Sequence, residues 1–106
     1  MTPLRRGDVH LVDLGMAAKS RPCVIISIPK PDSQRNMAVI APLTSQPRGG
    51  ECEVEFPKPA WLHDLSVINL IGLGGVDNAK IGRFIGQMKP QTMEKVSDGL
   101  ARMLGL

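Results

Sequence analysis

The stretch Lys19–Ser27, K-S-R-P-C-V-I-I-S, decides how the chain is read. A polar tip, Lys19-Ser20-Arg21, runs into Pro22, and an apolar run rich in β-branched residues begins at Cys23. Proline fixes its own φ, has no N–H to offer a neighbouring strand, and drives the residue before it into an extended conformation. Val and Ile pack well on a pleated surface, so Cys23–Ile28 reads as a buried strand. Arg21 therefore stands where a loop enters a rigid element, and a guanidinium on such a support is pre-positioned for an anion. Taken alone, an arginine at a strand end is most simply a solvated charge.

Working outward, Asp8–Leu14 (D-V-H-L-V-D-L) reads as a preceding strand, joined to the first stretch by the short loop Gly15–Ser20. Lys30–Asn36 is a polar loop of turn residues. Met37–Leu43 (M-A-V-I-A-P-L) is a third strand, whose Pro42 places its end near a sheet edge. Thr44-Ser45 follow, then a basic loop, Gln46–Gly50, with Arg48. Glu51–Phe56 alternates strictly, with Cys52, Val54 and Phe56 on one face and three glutamates on the other. Pro57–Asp64 is an irregular excursion carrying Trp61 and His63. Ser66–Leu70, Leu73–Val76 and Ile81–Met88 read as further strands, with a turn at Asn78–Lys80.

The last segment changes period. Met93, Val96, Leu100, Met103 and Leu104 recur at helical spacing, and Pro90 suits a first turn. Lys89 is a poor N-cap, Asp98 and Arg102 have the spacing of an i,i+4 pair, and Gly99 costs about 1 kcal/mol against alanine. This helix is therefore held by packing. The pattern predicts an α+β, mainly β fold: a small curled β-barrel with a C-terminal α-helix packed against it.

At 106 residues the chain reads as a single domain, 1–106. With 42% apolar and 22% charged residues it has the means for a core, which excludes disorder. No apolar run approaches the roughly 20 residues needed to span a bilayer, and Met1–Arg6 leads into Gly7-Asp8 without a secretion segment. A cytoplasmic protein with no membrane partner is expected. Cys23 and Cys52 have neither metal-ligand spacing nor the density of a disulfide scaffold, and two histidines supply no cluster, so no metal and no cofactor is expected. A net charge of +3 and a pI near 9.2 hint at a polyanionic partner. Three aromatic residues (Phe56, Trp61, Phe84) are too few for a base-stacking platform.

With the second and third strands adjacent and antiparallel, Arg21 and Thr44-Ser45 fall at the same end of the sheet. An arginine fork with a neighbouring hydroxyl makes a phosphate clamp that needs no metal.

The ordered set G-D-V-H-L-V-D-L (Gly7–Leu14), K-S-R-P-C-V-I-I-S (Lys19–Ser27), A-V-I-A-P-L-T-S (Ala38–Ser45) and L-S-V-I-N-L (Leu65–Leu70), closed by an apolar helix, resembles the MazF/PemK family of toxin endoribonucleases. The likeness runs from Arg6 to Leu106. The short loop before Arg21 resembles a branch with Lys-x-Arg-Pro. The resemblance implies an SH3-like barrel, a homodimer and a ribosome-independent, metal-independent endoribonuclease acting on single-stranded RNA (mRNA), silenced by a cognate antitoxin. It also implies catalytic roles for Arg21, Thr44 and the acidic Asp13, the last as candidate general base, and substrate contacts from Ser45, with Lys19 and Ser20 beside Arg21; on charge alone, Arg5, Arg6, Lys30, Arg35 and Arg48 are candidates for lining an RNA groove. In that chemistry the 2′-OH of RNA is the nucleophile, and 2′,3′-cyclic phosphate and 5′-OH ends result. Competing readings are a CcdB-like toxin that binds gyrase without cutting RNA, a decayed toxin that only binds antitoxin, and an acid/base pair built from His10 and His63.

Overall fold

Pro22 does open a strand, and Arg21 is its first residue. The computed structural model describes residues 4–15, 20–29 and 35–106. Among them run β1 (Asp8–Val12), β2 (Arg21–Ile25), β3 (Met37–Thr44), β4 (Glu53–Glu55), β5 (Val67–Asn69), β6 (Gly74–Asp77), β7 (Ile81–Gln87) and α1 (Pro90–Leu104), with 3₁₀ turns at Leu70–Gly72 and Asn78–Lys80. The strands form one antiparallel sheet in the order β4-β5-β3-β2-β1-β7, and β6 pairs with the first half of β3.

Strand β2 ends sooner than its apolar run. Beyond Ile25 the ladder is irregular: Val39 O accepts from both Ile26 N and Ser27 N, and Ser27 Oγ accepts from Val39 N. Ile26 stays buried although it has left the strand.

Alternation sorts the apolar residues into two cores. On the face towards α1, Val9, Val24, Ala41, Leu43, Val54, Ile68 and Leu70 pack with Val96 and Leu100 of the helix. On the other face, Val12, Cys23, Ile25 and Ile40 form a smaller cluster.

The sheet is mainly β and carries its helix as anticipated, but strand pairing does not close it into a barrel, because β4 and β7 remain its two ends. A side chain bridges part of the gap instead. Trp61, in the connection from β4 to β5, lies on Gly86 of β7, where a Cβ would meet its ring at 2.2 Å. Helix α1 also depends on a close approach, since a Cβ on Gly99 would lie 2.6 Å from Leu70 Cδ1. The glycine that weakens the helix in isolation lets it sit on the sheet. Lys89 makes no side-chain cap, Gly105 ends the helix at φ 74°, and no ion pair joins Asp98 to Arg102. Arg6 ties the two ends of the chain together, donating to Ile26 O and to Ser97 Oγ on α1.

Replacing Gly86 with alanine forces the indole off β7. A loss of about 1–3 kcal/mol is expected, with a change in emission of Trp61, the sole tryptophan, in the folded state. Chemical unfolding followed by fluorescence measures both, and an unchanged midpoint would refute the contact.

Candidate functional site

The strand register brings the sequence candidates together. Cys23 pairs with Pro42, Val24 with Ala41 and Ile25 with Ile40. The ladder ends at Cys23 and Pro42, and Arg21 and Thr44 each lie two residues beyond it, at the same end of the two strands. Both residues share the alternation of Cys23, Ile25 and Ile40, so they sit on the face away from α1, at the rim of the smaller core. Val12 pairs with Arg21 on one side and Val67 with Thr44 on the other, so the row spans four strands.

Arg21 is exposed, and among the described residues its guanidinium has no hydrogen-bond or ion-pair partner. Thr44 is half-buried, and its Oγ1 accepts from Gln46 N at 3.1 Å. Ser20 and Ser45 lie one residue beyond the strands, next to Arg21 and Thr44, and both are exposed. Beneath them, burial pushes the Cys23 thiol up to about 12, against the opposing pull of the Arg21 charge. Cys23 is a neutral core residue and no nucleophile.

Asp13 stands one strand over, past the end of β1. Its backbone N donates to Lys80 O at 2.9 Å, its Oδ1 accepts from Gly15 N at 2.8 Å, and its Oδ2 lies 4.0 Å from Lys80 Nζ. This carboxylate is occupied by a turn and a lysine. Lys80 thus stands at the same end of the sheet, a placement that its position in a turn did not announce.

Arg48 lies in the loop that follows Thr44. Glu53 of β4 accepts from Arg48 N and Gly49 N, each at 2.8 Å, which anchors that loop beside β4, three strand positions from β2. Lys19 and Lys30 fall outside the described residues. An open cleft of about 360 Å³ between residues 49–51, β4 and α1 contains none of the rim residues, and its lining mixes Glu51, Glu53 and Glu55 with Lys95 and Arg102. Mixed charge of that kind offers no anion site.

The histidines do not form a pair. His10 packs edge-on against Phe84, with ring centroids 5.5 Å apart, and its Nδ1 lies 3.0 Å from Gly82 O, while exposed His63 meets Asp64. Among the described residues no group of three or more His, Cys, Asp or Glu side chains is gathered for a metal, and no helix is long and apolar enough to cross a membrane.

A seven-stranded antiparallel sheet carrying one C-terminal helix defines a small, mainly β protein. Residues 5–104 match the family model for the PemK-like, MazF-like toxin of type II toxin-antitoxin systems, and the chain belongs to that family. The fold resembles a solved endoribonuclease from a mycobacterial species, with a TM-score of 0.82, 25% identity and coverage of 100% of this chain and 95% of that one. It also resembles a mycobacterial endoribonuclease solved with its cognate antitoxin, at a TM-score of 0.82, 26% identity and coverage of 96% and 95%. MazF from Deinococcus radiodurans has the same fold at 18% identity, with a TM-score of 0.82 over the full length of both chains.

The anchor under the Arg48 loop is pH-sensitive. Hydrogen bonds from the backbone N–H groups of the loop, Arg48 first, hold the Glu53 carboxyl below its usual value of 4.5. A depressed folded-state value gives stability that is complete above pH 4.5 and is lost as the pH falls through the folded value. Glu53→Gln should therefore lower the unfolding midpoint at pH 7, and the gap to wild type should narrow steadily below pH 4.5. A gap independent of pH would contradict the anchor.

Proposed function

We propose that this protein is an endoribonuclease toxin that cleaves single-stranded RNA by transesterification, with Arg21 and Thr44 as its working pair. The support is the β2–β3 pairing, which brings to one end of the sheet a hydroxyl and a guanidinium that has no hydrogen-bond or ion-pair partner among the described residues. RNA carries its own nucleophile, so the protein's task is alignment and charge stabilisation. The 2′-oxygen bonds to phosphorus, the bond from phosphorus to the 5′-oxygen breaks, and a 2′,3′-cyclic phosphate and a 5′-OH remain. The proton lost by the 2′-OH is balanced by the one that the 5′-oxygen gains. Arg21 holds the non-bridging oxygens and offsets the charge on five-coordinate phosphorus. A guanidinium offers donors and no acceptor, so Arg21 is not the base. Thr44 Oγ1 donates to the same phosphate, and Ser20 and Ser45 flank it. Asp13, engaged by Gly15 N and Lys80, serves here as a neighbouring counter-charge.

Family membership supports the remaining features of this reading: a homodimer, and neutralisation by a cognate antitoxin, as in the mycobacterial complex.

Labelled single-stranded RNA incubated with the protein in excess EDTA tests the reading. Cleavage with 5′-OH and cyclic-phosphate ends is expected, whereas 2′-O-methyl RNA stays intact. Arg21→Ala should lower kcat/KM by about 10²–10³-fold. Arg21→Lys should recover little of that, since an ammonium lacks the bidentate fork. Thr44→Val should cost about 10–100-fold. His10→Gln and His63→Gln should cleave as wild type does. Uncut RNA together with inhibited gyrase would replace the nuclease by a gyrase-binding toxin.

A further inference from the structure

Lys80 is placed as carefully as the residues of the clamp. Asp77 Oδ1 accepts from Ala79 N at 2.9 Å, Asn78 N donates to Asn36 O at 2.9 Å, and Lys80 O receives Asp13 N at 2.9 Å. Three hydrogen bonds thus fix the backbone from which the lysine side chain extends. Its one ionic partner among the described residues is Asp13, 4.0 Å away, and both side chains are more than half exposed, at 53% and 58%. A pair so long and so wet contributes little to stability and opens at little cost. The turn at Lys80 leads into Ile81, which pairs with Val12, and Val12 pairs with Arg21. The lysine therefore begins about two strand spacings, about 10 Å, from the Arg21 backbone.

We infer that Lys80 binds an RNA phosphate neighbouring the scissile one, and that Asp13 occupies the lysine until RNA displaces it. The inference rests on the nuclease reading and extends its binding track across the sheet end from β3 to β7. Two opposing effects follow. Removing Lys80 removes a phosphate contact, whereas neutralising Asp13 frees the lysine for RNA.

The probe is a short, mixed-sequence 2′-O-methyl oligonucleotide, which keeps its phosphates and cannot be cut. Its dissociation constant is measured against salt for wild type, Lys80→Gln and Asp13→Asn, with thermal unfolding of each to confirm the fold. Lys80→Gln is expected to weaken binding several-fold and to reduce the slope of log affinity against log salt by about 0.7. Asp13→Asn is expected to tighten binding several-fold. A merely structural ion pair would leave the salt slope of Lys80→Gln at its wild-type value, and that result, or weaker binding by Asp13→Asn, overturns the inference. If wild type cuts RNA while Lys80→Gln binds as wild type does, the inference alone falls. If wild type neither binds the probe nor cuts RNA, the nuclease reading falls with it.

Discussion

The rim depends on how β2 lies against β3. Side chains alternate along a strand, so a slip of one residue would carry Arg21 to the face of the helix and leave Thr44 on the other. The register is held by burial on both faces. Val24 and Ala41 belong to the core under α1, and Cys23, Ile25 and Ile40 belong to the smaller core opposite. A slipped pairing would expose one set and bury a guanidinium in the other. The charge is thus positioned by buried apolar residues.

Support for that pairing comes from beyond the two strands. The sheet leaves β4 and β7 unpaired with each other, and Trp61 on Gly86 holds the wall where a further strand contact would otherwise stand. Gly99 performs the same service for the helix, admitting Leu70 to within contact distance of its backbone. Both glycines sit where local propensity favours another residue, and in both the close approach of a large side chain outweighs the local cost.

Most of the architecture was legible in the chain, because alternation and the change to helical spacing at Pro90 are local signals. The start of β2 at Arg21 and the end of β3 at Thr44 were legible as well, since a proline dates the start of one strand and a polar pair marks the end of the next. The chain did not disclose long-range contacts whose local signature is ordinary. A glycine in a strand says that something comes close, and not that it is Trp61. Lys80 looked like any surface lysine in a turn, and only the ladder between β1 and β7 carries it to Asp13. Arg48 looked available as a basic loop residue until Glu53 tied its backbone to β4. Arg5 and Arg6, candidates for an RNA groove on charge alone, are engaged by Asp8 and by Ile26 O with Ser97.

The pairing of β1 with β7 joins residues 8–12 to residues 81–87, nearly opposite ends of the chain. During synthesis β1, β2 and β3 emerge first and can associate, but one side of β1 stays bare until the last part of the polypeptide has left the ribosome. High contact order of this kind slows folding. It also means that a prematurely terminated product never acquires the wall behind its arginine. A copy cut short before β7 is therefore left with β1 as an open edge.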